Sequence, residues 1–135
     1  MAHSASFRIS SCFGNVDAIC MDVRAMLGKC GLARHVFAVN LLLREFINNA
    51  ILHGNHLDAD KRVFITVRIG LVWIVLKVAD EGSGFDWRQR RLVPPASTDI
   101  SGRGLAIGEL YATRMRFNRT GNKVTLWIRK GDHKE

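Results

Sequence analysis

A carboxylate and a carboxamide stand four residues apart in the largely apolar segment Glu45-Phe46-Ile47-Asn48-Asn49-Ala50-Ile51-Leu52-His53-Gly54. Residues at i and i+4 share one face of a helix, so Glu45 and Asn49 are expected to point the same way. A carboxylate so placed can take a proton from an attacking hydroxyl or water. A carboxamide oxygen is a neutral, hard ligand for magnesium, whose octahedron phosphate oxygens would complete. The alternative is a buried structural network joining Glu45 to Arg44 or Arg34, although Arg44, adjacent in sequence, does not share its face.

A second cluster is Asp80-Glu81-Gly82-Ser83-Gly84-Phe85. Asp80 follows the apolar run Val72–Val78, so it is expected to be partly buried and to need a hydrogen-bond donor. The exocyclic amino group of adenine is such a donor, whereas guanine presents an acceptor oxygen there. Gly82 and Gly84 allow positive φ and close approach to a flat base or sugar. The competing interpretation is a β-turn capped by its own Asp. A third cluster, Ser101-Gly102-Arg103-Gly104-Leu105, opens a helix. Free backbone N–H groups, the positive end of the helix dipole and the Arg103 cation would together suit phosphate. The alternative is a flexible helix start. No G-x-x-x-x-G-K-[ST] loop, H-E-x-x-H helix or G-x-S-x-G elbow occurs, and residues 102–108 do not fit the dinucleotide fingerprint.

These clusters need elements to hold them. Phe7–Ser10 alternates as an edge strand, and Asp17–Leu27 has helical apolar spacing closed by Gly28 and Gly31. Residues 34–53 predict a long helix, with Gly54-Asn55 as a left-handed cap. Its polar stripe is Asn40, Arg44, Glu45, Asn48, Asn49 and His53, and the rest, Phe37 included, is expected in the core. Val63–Ile69 and Val72–Val78 read as a hairpin around Gly70, and Arg116–Arg119 with Lys123–Arg129 as another turning at Thr120-Gly121-Asn122. Between the hairpins lie residues 86–101, an unusually long connection that suggests a lid, and a helix over 103–113. The order β-α-α-β-β-loop-α-β-β predicts an α+β fold. We expect a two-layer sandwich in which one mixed, mostly antiparallel sheet is backed by helices.

The whole chain of 135 residues fits one domain (1–135), and 47% hydrophobic with 24% charged residues is ordinary for a globular protein. Three cysteines without metal-like or disulfide spacing, no signal-peptide pattern and no apolar run of membrane-spanning length suggest a cytoplasmic location. The net charge is +8, and residues 88–130 hold ten Lys or Arg against Asp99 and Glu109. Such a field attracts nucleotide phosphates, an acidic partner or nucleic acid. Within that segment the aromatic residues Tyr111, Phe117 and Trp127 are too few for a base-stacking platform, so nucleic acid is not an expected partner.

Taken together, residues 45–105 resemble the N box, G1 box and G2 box of the Bergerat-fold ATPases, the superfamily of DNA gyrase, histidine kinases and mismatch-repair ATPases. The nearest likeness is to the stand-alone anti-sigma factor serine/threonine kinases and switch kinases. Their N box, E-x-x-x-N-A-x-x-H-G, is matched by Glu45, Asn49, Ala50, His53 and Gly54. Their G2 box, S-G-x-G-hydrophobic, is matched by Ser101 to Leu105. The resemblance implies that Asp80 recognises adenine, that Asn49 holds magnesium and that Gly102, Arg103, Gly104 and Leu105 line the phosphates. His53, Gly82, Gly84, Phe85 and Ser101 would join the nucleotide site. Glu45 would be the base that activates a serine or threonine hydroxyl on an anti-anti-sigma-like antagonist. ATP and magnesium are the implied cofactors, a sigma factor or similar regulator the second partner, and a homodimer the implied assembly. A non-catalytic, ATP-gated binding module would need the same pocket. The family often carries Gly-Thr near its last strand, whereas here Gly121 is followed by Asn122, with Thr125 further along.

Overall fold

The computed structural model describes residues 3–84 and 100–131, excluding the side chains of residues 100–104. Phe85 and most of the expected lid (86–101) therefore lie outside the described residues. Strand β1 (His3–Ser10) leads through a 3-10 turn into helix α1 (Val16–Lys29), and a second such turn enters α2 (Val36–Asn49). Strands β2 (Arg62–Ile69) and β3 (Trp73–Ala79) form the first hairpin. Helix α3 (Ile100–Tyr111) and the hairpin β4 (Arg114–Phe117) and β5 (Lys123–Arg129) complete the chain.

Among the described residues the strands form one sheet in the order β1-β2-β3-β5-β4, and every pairing is antiparallel, where a mixed, mostly antiparallel sheet was expected. The α+β two-layer architecture is as the sequence predicts. Alternation selects the buried face: Val63, Ile65, Val67 and Ile69 on β2, Ile74, Leu76 and Val78 on β3, and Val124, Leu126 and Ile128 on β5. Against it pack Val16, Ile19, Val23 and Leu27 of α1 with Val39, Leu42, Leu43, Phe46 and Ile47 of α2. Each such side chain removed from water contributes about 1.5–3 kcal/mol against the cost of ordering the chain. Helix α2 lies between α1 and α3 and touches β3, which explains its apolar sequence.

Several local expectations are corrected. Phe37 is 66% exposed and meets the Tyr111 ring edge-on at 5.9 Å rather than entering the core. The long helix does not end in a left-handed Gly54-Asn55 cap. It loosens into a π turn over Ala50–Gly54, Asn55 is right-handed, and His56 and Leu57 take positive φ instead. The reason is Asn55 itself, which is completely buried. Its amide nitrogen donates to Ser11 Oγ and to the Arg62 carbonyl, both at 2.9 Å, and its oxygen accepts the Glu81 N–H at 2.8 Å. One side chain thus ties the end of the long helix to β1, β2 and the loop after β3. Helix α3 starts at Ile100, so Ile100 and Ser101 are helical rather than loop.

Candidate functional site

The last turns of the long helix, the end of β3, α3 and the β4–β5 turn enclose a cleft of about 240 Å³. Its apolar lining comes from Phe46, Ala50, Val78, Leu105, Phe117 and Val124, and its polar residues are Asn49, His53, Asp80, Asn122 and Lys123. An apolar cleft with a few polar groups suits a heteroaromatic ligand.

Asp80 sits half-buried just past β3. Its Oδ1 accepts the Gly82 N–H at 2.8 Å, and its own N–H donates to the Asn122 carbonyl at 2.9 Å. Burial pushes the Asp80 carboxyl above its ordinary value, offset in part by the Gly82 hydrogen bond and by the charges of His56 and Lys61. The carboxylate lies so close to Gly54 that any Cβ there would overlap it. Gly54 is therefore a site component, because only a glycine lets the helix end approach the acid. Of the two loop glycines, only Gly84 takes positive φ (87°), whereas at Gly82 a side chain would collide with the Gly54 carbonyl.

Asn49 also lines the cleft, and its Oδ1 is buried without a hydrogen-bond partner. An orphaned carbonyl oxygen costs about 1–3 kcal/mol unless a ligand supplies the missing contact. That donor chemistry fits a hard cation such as magnesium. No cluster of three or more His, Cys, Asp or Glu side chains suited to a metal occurs among the described residues, so such an ion would need oxygens from a ligand.

Glu45 is half-buried one turn before Asn49 and does not line the cleft. The two arginines considered from the sequence as its structural partners each make a bond of their own. Arg44 bonds Asp17 of α1 at 2.6 Å, an exposed pair worth at most about 1 kcal/mol, and Arg34 donates to the Gly31 carbonyl. His53 is exposed at the cleft rim. Ser101, Gly102, Arg103 and Gly104 fall in the first turn and a half of α3, whose leading N–H groups have no intrahelical acceptor. Leu105 is buried in the cleft wall.

The turn between β4 and β5, where the family often carries Gly-Thr, holds Gly121 and Asn122 here, and both line the cleft. Asn118 Oδ1 accepts the N–H groups of Gly121 at 2.8 Å, Asn122 at 3.1 Å and Lys123 at 3.2 Å. Asn118 Nδ2 donates to Asn122 Oδ1 at 2.7 Å, and Asn122 Nδ2 donates to the carbonyls of Asp80 and Gly82 at 3.3 and 3.4 Å. Asn122 thus clamps the Asp80 loop. Thr125 cannot take its place, because it lies between the inward-facing Val124 and Leu126 and points to the opposite face of the sheet.

Comparison with known families settles what this architecture is. Residues 10–130 match the model of the histidine kinase-like ATPase domain. The chain belongs to that family. The match spans all three helices, strands β2 to β5 and all three motif clusters, so the Bergerat-type fold expected from the motifs is the fold of this protein. A search of curated proteins gives no match. Among the described residues of this histidine kinase-like ATPase domain, no helix is long and apolar enough to cross a membrane.

Proposed function

We propose that the protein is an ATP- and magnesium-dependent serine/threonine protein kinase of a partner-switching module. Its substrate would be an anti-anti-sigma-like antagonist, and a sigma factor or similar regulator its second partner, held by a homodimer. One observation carries the nucleotide reading: the unpartnered Asn49 oxygen and the half-buried Asp80 carboxylate face the same apolar cleft. Asp80 accepts the adenine amino hydrogen, the apolar walls hold the ring, and the leading N–H groups of α3 meet the phosphates. Asn49 would hold magnesium, which when bound would supply charge neutralisation at the phosphates. Glu45 takes the proton of the partner's hydroxyl as its oxygen bonds the γ-phosphorus and the bond to the ADP oxygen breaks.

The second reading, a non-catalytic ATP-gated binding module, is favoured by the position of Glu45 outside the cleft wall. Incubation with ATP labelled in the γ-phosphate and an anti-anti-sigma-type domain separates the two. The kinase reading predicts label on a serine or threonine of that domain, abolished by Glu45→Ala with ATP binding retained. Nucleotide binding without label on the partner supports the gated module instead.

A further inference from the structure

The face of the sheet turned away from the helices carries a charge pattern of which only Lys123 also lines the cleft. Strand register sorts it into rows. One row runs Ser4, Arg68, Val75, Trp127, Arg114 across all five strands. The next runs Ser6, Thr66, Lys77, Thr125, Arg116, and a third runs Arg8, Phe64, Ala79, Lys123. Arg62 and Arg129 flank these rows on the same face. Among the described residues no strand contains an Asp or Glu. Of the chain's 20 Lys and Arg, eight lie on this face, leaving twelve elsewhere to match its twelve Asp and Glu. The net charge of +8 is therefore the charge of one sheet face.

The aromatic residues of the face follow a second rule. Phe64 stands opposite Arg8, Trp73 opposite Arg129, and Trp127 opposite Arg114. The Arg114 guanidinium lies 5.1 Å from the Trp127 ring centre. Each ring thus has an arginine as its cross-strand neighbour. Two of these rings, Phe64 and Trp73, come from outside the basic segment 88–130, which is why that segment alone looked too poor in aromatics.

We infer that this face binds single-stranded nucleic acid. Arginine forks grip phosphates and stack on planar groups, and aromatic faces accept unpaired bases of any sequence. A duplex hides its base faces inside the stack and offers these rings nothing. A protein partner would call for an apolar, charge-depleted centre, whereas Lys77 with Thr66 and Thr125 occupies the middle here. The site lies on the opposite side of the sheet from the nucleotide cleft and meets the cleft lining at Lys123.

Fluorescence anisotropy with a labelled mixed-sequence single-stranded 20-mer, and with its duplex, tests the inference on the full chain. The expected result is preference for the single strand, with affinity falling linearly in log-log form as salt rises from 50 to 200 mM. Arg68→Glu with Arg116→Glu, both at exposed positions, should lower affinity at least about tenfold at 50 mM salt while cooperative melting is retained. Phe64→Ala should weaken binding severalfold without changing the salt slope, since it removes stacking and no charge. Equal or tighter duplex binding would overturn the inference. So would affinity that survives the charge reversal in a folded variant, or preferential capture by phosphatidylserine vesicles.

Discussion

Asp80 is asked to do two incompatible things, to be buried and to be charged. Its carboxyl is raised above its ordinary value chiefly by burial, so the folded chain holds this proton more tightly than the unfolded chain does. That preference favours folding below the unfolded value of about 4 and is lost as pH rises through the higher folded value. Asp80→Asn should therefore melt higher, relative to wild type, at pH 7 than at pH 4, while ATP binding weakens by about 1–3 kcal/mol. Melting curves at the two pH values with a nucleotide titration check both, and a gap that does not change with pH would contradict the first. Asn49→Ala should leave magnesium-free nucleotide binding nearly intact and erase the strengthening by magnesium, because it removes the carboxamide that carries the orphaned acceptor. A magnesium effect that persists would take Asn49 out of the site. Both residues were legible from spacing because their types carry chemistry. The bonds of Asn55 and Asn118 were not, since a polar residue near a turn in sequence does not reveal which backbone groups it will satisfy.

Between elements, the site depends on how closely a helix end, a strand end and a hairpin turn approach one another. Gly54→Ala places a Cβ in the Asp80 carboxylate, so the variant should lose nucleotide affinity and about 1–3 kcal/mol of stability together. Titration and chemical denaturation read the two effects, and unchanged affinity would mean that the approach is incidental. Asn55→Ala orphans the Arg62 carbonyl and the Glu81 N–H, and should cost on the order of 3 kcal/mol in denaturant unfolding. The elements themselves were readable to within a few residues, because period-2 and helical spacing are strong in β2, β3, α1 and α2. What sequence periodicity does not encode is the junction. The π turn over Ala50–Gly54 arises because buried Asn55 draws the chain toward β1 and β2, and Phe37 is left exposed beside Tyr111 by the position of α3.

For the molecule as a whole, the sheet separates two surfaces with different chemistry. The helix side carries the cleft, and the opposite side carries the net charge. A ligand that binds only the folded state stabilises it by mass action, about 2.7 kcal/mol at one hundred times its dissociation constant. Saturating ATP with magnesium should therefore raise the melting temperature by several degrees. The measurement that bears most directly on the central claim is calorimetric titration of the wild-type protein with ATP and with GTP, each with and without magnesium. The account predicts binding of ATP in preference to GTP, tightened by magnesium. Equal affinity for the two nucleotides, or no binding of either, would contradict it.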